Sequence, residues 1–195
     1  NIYPSVPVPI SPQQNAHSNT PSPEFSWARA LNAIRYQLQI DLDKQLKTPD
    51  IDIILEEGAT SFTPASPLSP GKYFWRVRGF NLFGISGKWS SVQSFQLDTT
   101  SPSDPTPQKP INGFATNDTT PTFTWVKAKD AKYYRLQIAN HLEFDSPIIN
   151  ILTEKTAYTI PDTAALDYGA YFWRIRAEDV AGNYSNWSKP NSLLD

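Results

Sequence analysis

The chain contains no cysteine, which excludes a disulfide framework, a thiol nucleophile and thiolate metal ligation. That absence does not fix a compartment. Histidine is scarce as well: His17 lies in a polar, proline-rich stretch and His141 follows an apolar alternation, so the two occupy unmatched places. No nucleophile elbow, phosphate-binding glycine loop or His-Glu-x-x-His helix accompanies them. The chain therefore reads as non-enzymatic and without a cofactor. A basic excess is missing too, since 17 Lys and Arg stand against 19 Asp and Glu. Divided after Asp98, the first part carries eight basic and eight acidic residues and the second nine and eleven. Neither part offers the positive surface that a phosphate backbone demands, which sets nucleic acid aside as a partner. No run of 18 apolar residues occurs, so no segment reads as a membrane-inserted helix.

What the chain has in quantity is proline, 18 of 195 residues, and aromatic side chains, 13%. Many short strands joined by stiff turns, with bulky side chains filling a thin core, would use both. The aromatics also reveal a repeat. Trp27, Trp75 and Trp89 return as Trp125, Trp173 and Trp187, each displaced by 98 positions. The same offset relates Pro12 to Pro110, Phe25 to Phe123, Tyr36 to Tyr134, Tyr73 to Tyr171 and Gly84 to Gly182. Between Pro49 and Leu68 the first copy differs in spacing from the second, which marks a loop. Two domains follow, 1–98 and 99–195, with a proline-dense linker over about 98–107.

Within each copy, apolar residues alternate with polar ones over short stretches bounded by Pro, Gly, Asn or Asp, the signature of half-buried strands. Phe25-x-Trp27, Tyr36-x-Leu38-x-Ile40, Ile51-x-Ile53, Tyr73-x-Trp75-x-Val77 and Val92 to Leu97 all fit. A proline-rich edge strand near Val6 to Pro9 and a short strand around Phe62 bring the count to about seven per copy, the spacing of a β-sandwich. In this frame Trp27, Tyr36, Tyr73, Trp75, Trp125, Tyr134, Tyr171 and Trp173 face the core. Trp89 and Trp187 open the last strand and lie over guanidinium groups of the strand before it, Arg76 and Arg78 in the first copy and Arg174 and Arg176 in the second. Contact with a ligand is the competing use of those two indoles.

The order of these residues resembles the fibronectin type III fold, twice over and across nearly the whole chain. That fold carries a Trp in its second strand, a Tyr opening its third, a Leu before a tight turn and a Tyr-led sixth strand. Trp27 and Trp125, Tyr36 and Tyr134, Leu68 and Leu166, and Tyr73 and Tyr171 take those places. The expected architecture is all-β, two tandem seven-stranded immunoglobulin-like sandwiches. Tyr-Phe-Trp-Arg-Val-Arg and Asp179-Val-Ala-Gly-Asn183 look most like modules of bacterial cell-surface and secreted proteins, and the resemblance alone implies an extracellular or cell-surface location. Arg76, Arg78 and Trp89-Ser90 also resemble the ladder of class I cytokine receptors. The full Trp-Ser-x-Trp-Ser motif is missing, however, and the disulfides usual there cannot form.

The leading functional expectation is a non-catalytic spacer or adhesion segment of a larger protein, whose partners are other domains of that protein, neighbouring copies, or protein and polysaccharide at a cell surface. Two alternatives stay open: a carbohydrate-binding accessory module, which needs a row of exposed aromatics among Tyr3, Phe80, Phe83, Phe114, Tyr133, Tyr168 and Tyr184, and a subunit of an extracellular fibre or surface layer. The acidic set Asp41, Asp43, Asp50, Asp52, Glu56 and Glu57 could supply oxygens to calcium, but it lacks EF-hand spacing and the second copy breaks it with His141 and Ile148. The linker composition favours extended, semi-rigid geometry. Small-angle scattering is expected to report an elongated pair of beads; a compact single globe would contradict that reading.

Overall fold

The computed structural model describes residues 2–194, and the chain divides into two compact units, Asn1–Thr99 and Thr100–Asp195. The first contains β1 (Val8–Ser11), β2 (Ala16–Ser18), β3 (Phe25–Ala28), β4 (Arg35–Asp41), β5 (Ile51–Ile54), β6 (Ser61–Phe62), β7 (Gly71–Phe80) and β8 (Gln93–Leu97). One sheet has the order β1-β3-β6 and the other β2-β8-β7-β4-β5. The second unit repeats this with β9 (Thr106–Lys109), β10 (Phe114–Ala115), β11 (Thr122–Val126), β12 (Tyr133–Ala139), β13 (Ile149–Thr153), β14 (Ala157–Thr159), β15 (Ala170–Glu178) and β16 (Asn191–Leu194), plus a 3-10 turn at Asp162–Ala164. Its sheets are β14-β11-β9 and β10-β16-β15-β12-β13. The all-β sandwich expected from the alternation is present in both units.

Among the described residues each unit nevertheless has eight strands where the alternation suggested about seven, because the proline-rich outer strand divides. Its first half, β1, pairs antiparallel with β3, and its second, β2, pairs parallel with β8 on the opposite sheet. The second unit does the same with β9 on β11 and β10 on β16. Pro12 and Pro110 stand at the crossover. Proline has no N–H to give a ladder, so the chain loses little by leaving one sheet at that point. A buried indole fixes the place: Trp75 Nε1 donates to Pro12 O at 3.3 Å and Trp173 Nε1 to Pro110 O at 3.0 Å.

Around these indoles the core is aromatic. Phe25 meets Trp75 edge-on at 5.5 Å and Phe123 meets Trp173 at 5.2 Å, an arrangement favoured by the ring quadrupoles. Trp27 tilts against Tyr36, and Trp125 against Tyr134, with centroids 5.6 Å apart in both pairs. All eight aromatics placed in the core by sequence are buried. Their hydroxyls are committed as well. Tyr36 and Tyr134 accept the N–H of Ala30 and Ala128, each at 2.9 Å. Tyr73 and Tyr171 donate to the carbonyls of Ser69 and Asp167 four residues upstream, at 2.9 and 2.8 Å, which is the tyrosine corner of immunoglobulin-like sandwiches.

The stretch read as a linker is taken up from both ends. Asp98 N donates to Ser18 O at 2.9 Å within the first unit, and Ser103 N donates to Lys129 O at 3.1 Å within the second. With β9 opening at Thr106, residues 103–107 belong to the second unit, because its edge strand and the loop ahead of it recruit them.

Substitution of the two tyrosine classes separates their roles. Tyr36→Phe orphans a buried N–H and is expected to cost about 1–3 kcal/mol, whereas Tyr73→Phe frees a carbonyl nearer solvent and costs about 0.5–1.5 kcal/mol. Urea unfolding of both variants checks the order, and equal losses would contradict it. Trp27 Nε1 has no hydrogen-bond partner, so Trp27→Phe is expected to be less destabilising than Trp75→Phe in the same assay.

Candidate functional site

The outward-facing side of β7 carries Arg76 and Arg78, and that of β15 carries Arg174 and Arg176. Trp89 and Trp187 meet them from the segment that follows. Neither indole opens the last strand, which begins only at Gln93 and Asn191. The reason is local: Ser90 N donates to Val77 O at 2.8 Å while its Oγ accepts Val77 N at 3.1 Å. Ser188 repeats both bonds with Ile175, at 2.8 and 3.1 Å. A serine hydroxyl thus stands where a strand backbone would, and it turns the preceding Trp flat onto the arginines.

In the second unit the Trp187 ring lies 4.3 Å from the Arg174 guanidinium and 4.8 Å from that of Arg176. Phe144 also lies against Arg174, at 4.3 Å, and Tyr184 against Arg176, at 4.1 Å. The result is a five-membered stack, Phe144–Arg174–Trp187–Arg176–Tyr184. The first unit has Arg76 and Arg78 at 4.4 and 4.5 Å from Trp89, with Phe80 beside Arg78 at 5.3 Å. Leu46 takes the place of Phe144, and its carbonyl accepts Arg76 Nη2 at 3.5 Å.

Glutamines behind the guanidinium groups hold them in position. Arg76 Nε donates to Gln39 Oε1 at 2.9 Å, Arg78 Nε to Gln37 Oε1 at 2.8 Å, and Arg174 to Gln137 Oε1 at 2.9 and 2.7 Å. Where the second unit has Arg135 in place of a glutamine, Glu178 supplies the anion: its Oε1 lies 2.9 Å from Arg135 Nε and 3.6 Å from Arg176 Nη2. Burial, followed by the charge of the neighbouring arginine, holds Arg76 and Arg174 below the usual arginine pKa. The rings facing these cations offset part of that cost. Phe144 and the supporting Gln37, Gln39, Gln137 and Glu178 escaped sequence reasoning, and Tyr184 entered it only as a candidate exposed aromatic. Their signal was present in the offset of 98 that places Phe144 on Leu46 and in the Tyr184 that precedes Ser-x-Trp-Ser.

The remaining candidates disperse. Phe80 and Tyr184 belong to the stacks. Phe83 and Tyr3 are exposed in the first unit, Phe114 and Tyr168 in the second, and Tyr133 lies near Lys132. Among the described residues no ring contact joins any two of them. Asp41 Oδ1 accepts Asp43 N, Asp43 Oδ1 accepts Gln45 N, and Asp52 accepts from Gln37 and Gln39, so these acids shape turns and an edge. Among the described residues no group of three or more His, Asp or Glu is placed to hold a metal ion. His141 lies between Glu143 at 3.6 Å and Asp145 at 3.3 Å. Asp179-Val-Ala-Gly-Asn183 is a closed turn, with Asp179 Oδ1 accepting the N–H of Ala181 and Asn183 and Gly182 at φ 89°. A groove recurs beside each crossover, of about 510 Å³ in the first unit and about 480 Å³ in the second. His17 and Glu24 line the first groove, but Ala115 and Thr122 stand at those places in the second, so that pair is not repeated.

Each cation–π contact of this kind is worth about 0.5–2 kcal/mol. Trp187→Ala releases two and is expected to lower the unfolding free energy of the second unit by about 1–4 kcal/mol. Urea titration followed by near-ultraviolet dichroism checks it, and an unchanged midpoint would show that the stack adds nothing.

No family model and no curated protein sequence matches the chain. Solved structures do. The fibronectin(III)-like modules of Clostridium thermocellum CbhA superpose with a TM-score of 0.65 at 11% identity, covering 96% of this chain and 93% of theirs. The FN1-FN3 domains of chicken CNTN1 superpose with a TM-score of 0.62 at 13% identity, covering 100% of this chain and 68% of theirs. The fold of the chain is that of fibronectin III-like modules in tandem. Among the described residues no helix is long and apolar enough to cross a membrane.

Proposed function

We propose that the chain is a non-catalytic structural and interaction segment, a spacer or adhesion pair within a larger surface or secreted protein. One observation carries this reading over the carbohydrate-binding alternative: the two tryptophans outside the core are each half-buried and packed against two guanidinium groups. Stacking on a sugar ring requires a free indole face, and Trp187 is packed against two guanidinium groups, those of Arg174 and Arg176. Trp89 packs in the same way against Arg76 and Arg78. The other four indoles are at most 2% exposed.

The polar chemistry supports the same reading, since hydroxyls, amides and carboxylates are spent on turns, corners and the arginine stacks. What remains for contact is edge strands and end loops. In the first unit the end loops present Ile2, Tyr3, Leu31, Leu82 and Phe83, each at least 64% exposed. Asn81 stiffens that end by donating to Ile2 O at 3.0 Å and accepting the N–H of Phe83 and Ile85 at 3.0 and 2.9 Å. Such a rigid apolar surface suits a protein partner.

Titration of the chain with soluble cell-wall and plant polysaccharides, followed by tryptophan fluorescence and calorimetry, is expected to give neither quenching nor heat. Saturable quenching that is lost in Trp187→Ala would overturn the spacer reading in favour of a carbohydrate-binding module.

A further inference from the structure

The two units end their five-stranded sheets differently. Both β5 and β13 are outer strands, paired on one side only, and alternation along an antiparallel pair turns the N–H and C=O of every second residue outward. Such an edge is a template for another strand unless something blunts it. The first unit blunts its edge with charge: Asp50, Asp52, Glu56 and Glu57 surround β5, and a second copy laid against it would oppose acid with acid. The second unit has Ile148 where Asp50 stands and Asn150 where Asp52 stands, so residues 146–153 form an uncharged run, Ser-Pro-Ile-Ile-Asn-Ile-Leu-Thr. Ile148 and Leu152 point outward from it, 51% and 46% exposed.

We propose that β13 pairs antiparallel with β13 of a second copy of this chain about a two-fold axis through Asn150, joining two five-stranded sheets into one. The side chains select that register. With Asn150 opposite Asn150, Ile148 of each copy faces Leu152 of the other, apolar against apolar. Sliding the register by two residues in one direction sets Ile148 against Glu154, and in the other against Asn150, and both lose the match. The contact is isologous and closes on itself, so it yields a dimer and not a fibre. It stands apart from the spacer reading and does not depend on it.

Sedimentation velocity on the full chain over a rising concentration series is expected to show a reversible monomer–dimer equilibrium. Asn150→Asp sets two carboxylates face to face on the axis and is expected to raise the dimer dissociation constant by at least about tenfold. Since the native chain has no cysteine, Asn150→Cys gives an independent readout. Residues opposed in an antiparallel pair have Cα atoms about 5.5 Å apart or less, within disulfide reach. Under oxidising conditions Asn150→Cys is expected to form a covalent dimer much faster than Leu152→Cys, whose two thiols lie apart on this register. A chain that stays monomeric at every concentration, an Asn150→Asp variant that dimerises as well as the parent, or equal cross-linking of the two cysteine variants would each overturn the proposal.

Discussion

The buried indole at the strand crossover is the constraint on which each sandwich depends. A β-sandwich whose outer strand stayed on one sheet would leave the last strand of the other as a bare edge. Here the outer strand leaves its first partner at Pro12 or Pro110 and joins the opposite sheet, so one segment covers an edge of both. The donor that holds the crossover carbonyl, Trp75 or Trp173, is also one of the two indoles that fill each core and the ring against which Phe25 or Phe123 packs. Core volume, edge protection and strand path therefore rest on one side chain in each unit, and both units solve the problem at matching positions.

A second device lies on the outer face of the same strand. Tyr73-x-Trp75-x-Val77 faces inward while Arg76 and Arg78 face outward, so β7 carries the core on one side and the arginine stack on the other. Adjacent guanidinium groups repel each other. They are tolerable because aromatic rings lie against them, glutamine oxygens accept N–H groups of Arg76, Arg78 and Arg174, and Glu178 places a negative charge 3.6 Å from Arg176. The second unit extends the stack with Phe144 and Tyr184 where the first has Leu46 and Ser86, so one scaffold accepts a longer or shorter stack without changing its backbone path. Gly87 shows the reverse dependence: a Cβ there would lie 2.6 Å from Pro4 O, whereas its counterpart Ser185 uses its hydroxyl to accept Ala177 N at 2.8 Å.

Much of this was legible in the sequence because alternation and a repeat of 98 residues act together. The positions of Trp27, Tyr36, Tyr73 and Trp75 follow from period-two patterning alone, and the pairing of Arg76 and Arg78 with Trp89 follows from their order. The division of the outer strand was not legible, since proline composition marks an edge strand but not the residue at which it changes sheet. The start of the last strand was misplaced because the hydroxyls of Ser90 and Ser188 take the place of backbone groups, which alternation cannot register. The stacking of Phe144 and Tyr184 depends on loops that bring residues over the sheet, and alternation within strands does not announce it. The same holds for the linker, whose proline-rich composition conceals that residues 103–107 are drawn into the second unit.

All six tryptophans are committed to structure: four fill the cores and two pack against paired arginines. Ring-current shifts in solution test it most directly. In a spectrum of the isotopically labelled chain, the side-chain protons of Arg76, Arg78, Arg174 and Arg176 are predicted to resonate well upfield of ordinary arginine positions, and those of Arg174 and Arg176 to return toward them in Trp187→Leu. Arginine signals at ordinary positions in the unmodified chain would mean that Trp89 and Trp187 stand open, and the structural account of these two residues would fail.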